Sequence, residues 1–175
     1  MIGLAVIKPR GIVCTEEKRE KNSIVRFLDY PVRVTYAGRL DKDSRGLLLM
    51  TINGDIIDRM MRGANRHEKE YKVTVDKEIT EEFLKKMSEG VPILDTVTRP
   101  CRVSRIGKYT FSIVLTQGLN RQIRRMCEAL GYEVKDLVRV RVMNIRLGSL
   151  KEGQYRKLSD EELEELYDLL NKGGR

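Results

Sequence analysis

A chain of 175 residues with 41% hydrophobic and 34% charged side chains is long enough for one domain with its own core, and no apolar run approaches the roughly 18 to 20 residues that span a bilayer. Three cysteines without CxxC spacing and a single histidine, His67, argue against a disulfide framework, a zinc knuckle, Ser-His-Asp or Cys-His catalysis and a His-based metal site, so a metal-free cytoplasmic protein is expected whose chemistry falls to Asp, Tyr, Arg and Lys. The net charge of +8 is concentrated, with 11 Lys/Arg against 3 Asp/Glu over residues 99–146, and that local surplus points to a polyanionic partner such as nucleic acid.

In chain order, Leu4 to Ile7 and Gly11 to Thr15 read as short strands separated by a Lys8-Pro9-Arg10-Gly11 turn. Glu16 to Lys21 alternates charges as a surface loop does, and Asn22 or Ser23 is placed to cap a short helix with Ile24, Val25, Phe27 and Leu28 on its core side. Val32 to Tyr36 alternates as a strand, and Leu47 to Ile52 has the continuous apolar character of a buried one. Asn53-Gly54 turns the chain into a helix with Ile56, Ile57, Met60 and Met61 inward, ending at Gly63. Lys69 to Val75 is a strand with Tyr71, Val73 and Val75 on its core face and Lys69 expected outward. Thr80 precedes a helix with Glu81 and Glu82 in its first turn, Phe83, Leu84 and Met87 inward and Gly90 as its stop.

Strand-like runs follow at Val91 to Val97, Arg99 to Ile106 and Tyr109 to Leu115. Asn120 is expected to cap a helix over Arg121 to Leu130, closed by Gly131, with Ile123, Met126, Cys127 and Leu130 as the buried stripe and Arg121 and Arg125 directed away from it. Val134 to Leu147 reads as extended, with Val138, Val140 and Val142 on one face and Arg139 and Arg141 on the other. Ser159-Asp160-Glu161-Glu162 is a capping box for a last helix with Leu163, Leu166, Tyr167 and Leu170 inward, and Lys172 to Arg175 is a frayed end. Strands outnumber helices and hairpin neighbours outnumber β-α-β alternation, which gives an α+β fold with a mainly antiparallel sheet.

The stretch Gly38-Arg39-Leu40-Asp41-Lys42-Asp43-Ser44-Arg45-Gly46 sets two carboxylates at the rim of the buried Leu47 strand. An acid so placed is a candidate catalytic group, although a turn aspartate more often caps backbone amides. On the helix beginning near Asn120, Arg124 falls on the flank between core and cleft, where a guanidinium can pair with a carboxylate and keep it ionised.

The Gly38–Thr51 stretch and the run Gln117-Gly118-Leu119-Asn120-Arg121-Gln122-Ile123-Arg124-Arg125-Met126 resemble the two strong motifs of the RsuA-like ribosomal RNA pseudouridine synthases. The resemblance covers about Leu4 to Leu170 and looks closest to the RluF-type subgroup, which modifies large-subunit (23S) ribosomal RNA. It implies the family's fold, a mainly antiparallel or mixed central sheet flanked by helices in two lobes around an RNA-binding cleft. It further implies an isomerase that converts uridine to pseudouridine with an aspartate and no cofactor, Asp41 being that aspartate, Arg124 its basic partner and Tyr71 a ring that stacks on the flipped base. Lys8 and Arg39 are expected to line the cleft and meet phosphate, with further RNA contacts from Arg121, Gln122, Arg125, Arg139 and Arg141. A carboxylate suits this chemistry because cleavage of the ribose C1′ to uracil N1 bond makes C1′ electron-poor. Attack on the sugar, attack on the ring and removal of the C2′ proton all remain open to Asp41. Subgroup members commonly begin with a basic S4 RNA-binding domain, whereas this sequence opens on the first catalytic strand, so residues 1–175 are expected to form one catalytic domain, a monomer acting on ribosomal RNA or an assembly intermediate. Two rival activities fit the same residues: a non-catalytic RNA-binding or ribosome-assembly module, and a glycosidase-like hydrolase in which Asp43 would serve as second acid.

Overall fold

The computed structural model describes residues 2–62 and 66–173. Its elements in chain order are β1 (Gly3–Lys8), α1 (Ile24–Leu28), β2 (Thr35–Ala37), β3 (Arg45–Thr51), α2 (Gly54–Arg62), β4 (Lys69–Val75), α3 (Glu81–Glu89), β5 (Pro92–Ile93), β6 (Thr96–Val97), β7 (Arg102–Arg105), β8 (Thr110–Leu115), α4 (Gln122–Ala129), β9 (Val134–Val142), β10 (Ile145–Arg146), β11 (Tyr155–Lys157) and α5 (Asp160–Gly173). The main sheet runs β11-β1-β3-β9-β4-β8-β7, with β2 added to β3 and β10 to β9, while β5 and β6 form a separate hairpin. Every pairing is antiparallel except β3 with β9, a parallel joint of two residue pairs, Arg45 with Val138 and Gly46 with Arg139. The sheet is thus mixed within an α+β fold, and that short joint connects its two halves.

Period-two alternation explains the first half. Ala5, Ile7, Leu47 and Leu49 face α2 and α5, whereas Leu4, Val6, Leu48 and Met50 face α1 and the chain around Val34 and Leu40. Burying both faces makes the Leu47 run continuously apolar, each such side chain contributing about 1.5–3 kcal/mol when taken from water. In the second half, Val73, Val75, Phe111, Ile113 and Leu115 pack on α3 and α4 through Phe83, Met87, Ile123 and Met126. Tyr71 packs against both this core and the α1 core, so it sits at the joint between the halves.

Local chemistry places most helix ends where the residue types direct. The Ser23 side chain caps α1 and that of Thr80 caps α3; Ser159 and Glu162 exchange two backbone-to-side-chain bonds as a reciprocal capping box. Asn53 Oδ1 accepts from the amides of Asp55 and Ile56, so the helix starts at Gly54 rather than after it.

Several expectations need correction. Gly11 to Thr15 is not a strand: Val13 makes one isolated bridge to Ser23, and Ile12 and Cys14 pack into the core that holds α1. Phe27 lies outside the core at 38% exposure. The run Val91 to Val97 folds back on itself, with Leu94 and Asp95 at positive φ as its turn. Arg121, at φ 48, and not Asn120, occupies the cap position of α4. The backbone of α5 is helical through Gly173, against the expected frayed end from Lys172; Gly174 and Arg175, and the proposed stop at Gly63, lie outside the described residues. Among the described residues no helix is long and apolar enough to cross a membrane.

Candidate active site

The two halves diverge beyond the β3–β9 joint, and a cavity of about 320 Å³ opens between them. One wall is the loop from Gly38 to Ser44, a second is the start of α4 with the preceding Gln117–Arg121, and a third is the beginning of β4 with Arg139 and Val142 of β9.

The loop is held by its backbone. Arg39 O accepts from Arg139 Nη1 at 2.9 Å, Leu40 O from Cys14 Sγ at 3.4 Å, and Asp41 O from Ser44 N at 3.1 Å. Lys42 O accepts from Gly11 N at 2.7 Å and Asp43 O from Arg124 Nη2 at 3.0 Å. Five consecutive carbonyls are therefore fixed by five separate partners. Gly46 makes the close approach behind them possible: a Cβ there would fall 2.3 Å from Arg139 O and 2.6 Å from Arg139 N, at φ +117.

The two loop carboxylates have opposite fates. Asp43 is gripped by Arg121, whose Nη1 and Nη2 reach Oδ1 and Oδ2 at 2.9 and 2.8 Å, with Arg124 Nε 3.7 Å away. The Arg121 hydrogen bonds hold its carboxyl down at about 2. Asp41 is exposed and lines the cavity, and its carboxylate makes no hydrogen bond or ion pair with a described residue. The expected Arg124–Asp41 pair is therefore absent; Arg124 instead braces the loop through Asp43 O and Ser44 Oγ. Tyr71 and Lys69 face the cavity from β4.

A bulge re-aims β9. Glu70 pairs with Arg141 and Tyr71 with Arg139, leaving Val140 without a partner on β4. The extra residue separates the two arginines that alternation had put on one face. Arg139 turns toward the cavity, 3% exposed, and bonds Leu47 O and Arg39 O. Arg141 turns to Glu68 and Glu70 in a largely buried ion-pair cluster. Neither is placed to meet phosphate as expected.

Other expected RNA contacts are also occupied. Lys8 is fully buried and donates to Pro9 O and Ile12 O in the turn that follows β1 and to Lys42 O in the loop; burial lowers its pKa to about 8. Gln122, 4% exposed, bonds Leu119 N and Gln117 Oε1 to close its own loop. Arg125 reaches back to Asn120 O and Oδ1. Arg39 is exposed at the cavity rim over the Tyr36 ring. Part of the surplus of residues 99–146 is neutralised from elsewhere in the chain, Arg102 by Glu68, Arg105 by Glu81 and Arg121 by Asp43.

Lys69 is the cavity residue that sequence reading missed. The signal was present, since Lys69 shares its parity with Tyr71 and must share its face. Burial and the nearby Arg139 lower its pKa to about 8. Burial likewise raises the Cys101 and Cys127 thiols, to about 11 and 12, which keeps them unreactive at neutral pH. Among the described residues no group of three His, Cys, Asp or Glu side chains is arranged to hold a metal.

A free carboxylate on a pinned loop, opposite a tyrosine in a cleft between two half-sheets, invites comparison with known proteins. The family model for RNA pseudouridylate synthase matches residues 3–129. The chain belongs to that family. It is 52% identical over 170 residues to the dual-specificity RNA pseudouridine synthase RluF of Escherichia coli (strain K12), covering 97% of this chain and 59% of that protein. It is 33% identical to ribosomal small subunit pseudouridine synthase A of Haemophilus influenzae (strain ATCC 51907 / DSM 11121 / KW20 / Rd), covering 91% and 71%. A crystal structure of a pseudouridylate synthase superposes with a TM-score of 0.83 at 31% identity, over 94% of this chain and 73% of that one. The chain thus spans about three fifths of the length of the RluF proteins it matches.

Proposed function

We infer that this chain isomerises a uridine of large-subunit (23S) ribosomal RNA to pseudouridine without a cofactor. The observation that carries the reading is the pinned loop: five anchored carbonyls hold one unpartnered carboxylate, Asp41, on a cavity wall that Tyr71 also lines. A reacting group fixed in this way gains from orientation, because the geometry is set before substrate arrives. The cavity suits one flipped pyrimidine, with the Tyr71 ring as stacking surface and Asp41 as nucleophile or base at the ribose-uracil unit. Arg124 acts from behind, holding the Asp43-Ser44 backbone and hence the loop. The 52% identity to RluF supports a large-subunit target through the subgroup resemblance. A monomer acting in the cytoplasm belongs to the same reading, and a ribosomal RNA substrate supports the cytoplasmic part of it.

Asp41→Asn tests this reading. Pseudouridine formation on 23S RNA falls by about 1,000-fold or more, while RNA binding changes less than about threefold, since the lost group is catalytic and not a phosphate contact. Full activity of the variant refutes Asp41 as the catalyst, and RNA binding without isomerisation by the unsubstituted chain favours an RNA-binding module.

A further inference from the structure

The cavity is lined by six charged residues, Arg39, Asp41, Lys69, Arg121, Arg124 and Arg139. Four have partners: Arg121 grips the Asp43 carboxylate, Arg124 the Asp43-Ser44 backbone, Arg139 two carbonyls, and Arg39 lies over the Tyr36 ring. The Asp41 carboxylate and the Lys69 ammonium have no hydrogen bond, ion pair or ring contact with a described residue. The position of Lys69 is fixed by the sheet, since its backbone pairs with both Leu115 of β8 and Val142 of β9 at the start of β4. The ammonium is half-buried and carries no counter-charge, which costs stability unless a ligand supplies one.

We propose that the Lys69 ammonium is a catalytic group that stabilises the uracil ring as it leaves the ribose. The proposal rests on the pseudouridine synthase reading and deepens it. When the C1′–N1 bond breaks, its electron pair remains on N1, and the departing ring carries one negative charge spread over N1, O2 and O4. The ring then turns, C5 bonds to C1′, the C5 proton departs and N1 takes one up, so the net reaction neither gains nor loses a proton. A cation two residues from the stacking tyrosine, on the same strand face and in the same cavity, is sited where that transient charge develops. Its attraction is absent from the neutral bound uridine and appears only as the bond breaks, which is what accelerates a step. Placing the partly buried ammonium beside buried Arg139 makes a negatively charged visitor more favourable still.

Isomerisation of 23S RNA under single-turnover conditions by the whole chain tests this, with Lys69→Met and Lys69→Arg as variants. The expected result is a rate about 100-fold lower for Lys69→Met with RNA affinity within about threefold, and recovery to within about tenfold for Lys69→Arg. A pH profile provides the readout that a structural lysine would not move. The titratable and charged groups that line the same cavity as Lys69 are Tyr71 on its own strand, Arg139 on β9, Asp41 and Arg39 on the loop, and Arg121 and Arg124 on the α4 side, with His67 a neighbour just before Lys69. Deprotonation of Lys69 near its lowered value of about 8 makes the unsubstituted rate fall above that pH, and Lys69→Arg moves the fall upward because guanidinium stays charged. Less than threefold loss in Lys69→Met, equal losses in rate and affinity, or an alkaline limb unmoved by Lys69→Arg overturns the proposal. Should Lys69→Met fail to fold, the pH limb of Lys69→Arg decides alone. An unsubstituted chain that makes no pseudouridine sinks the parent reading and this one together, whereas an active chain with an indifferent Lys69 sinks only this one.

Discussion

The loop wall and the β4 wall of the cavity are built on opposite principles. On the loop wall the carbonyls from Arg39 to Asp43 are all bonded and Asp43 is ion-paired, so that of the two loop carboxylates Asp41 is left bare. On the β4 wall, Lys69 and Tyr71 take their positions from the sheet register itself and need no side-chain braces. A loop lacks a ladder and must borrow rigidity from distant residues, here Lys8, Cys14, Arg121, Arg124 and Arg139; a strand with neighbours on both sides already has it. Both routes lead to the same outcome, a side chain held in place with its polar end unsatisfied.

The largest effect comes from moving one wall against the other. Gly46→Ala drives a Cβ into the Arg139 backbone at a φ that favours glycine, and we expect a loss on the order of 3 kcal/mol or more in urea unfolding, with loss of isomerisation. A variant of unchanged stability would show that β3 and β9 can separate without cost.

Releasing a brace is milder. Asp43→Asn breaks the bidentate Arg121 pair while leaving Asp41 in place chemically, so kcat should drop roughly 10- to 100-fold with the unfolding midpoint little changed. Arg121→Gln should give a similar drop, and the double variant no more than either alone, because both remove one contact. Additive losses would mean that Arg121 and Asp43 act separately, and the loop wall would then be less dependent on its braces than its geometry shows.

Acid should loosen the loop wall, and only slightly. The folded carboxyl of Asp43 titrates at about 2, below its ordinary 3.8. The stability it contributes is therefore complete above 3.8 and lost as pH falls through about 2. With Asp43 49% exposed, solvent screening keeps that contribution small. Unfolding midpoints between pH 5 and 2 should decline a little less steeply for Asp43→Asn than for the unsubstituted chain, and identical slopes would contradict the depressed value.

Much of this site was legible from one dimension. The Gly38–Thr51 stretch announced a carboxylate at the lip of a buried strand, and the caps at Ser23, Thr80 and Ser159 followed from residue type. Lys69 was legible too, from its parity with Tyr71, but a lysine at a strand end reads as solvated because charge is normally outside.

Other features required three dimensions. Local periodicity cannot register a bulge, so the opposed fates of Arg139 and Arg141 depended on Val140 falling out of the β4–β9 ladder. Charge counted along the chain could not foresee that Arg102, Arg105 and Arg121 would be neutralised by Glu68, Glu81 and Asp43, residues remote in sequence. Lys8 read as a cleft cation, and only the fold showed it buried beneath the loop it supports. The sequence by itself determined the family, the strand-rim aspartates and the two-faced Leu47 strand, since these rest on local spacing and hydrophobic pattern. Tertiary structure decided which carboxylate stays free and which cations remain unpartnered, because pairing depends on distances between residues that only folding brings together.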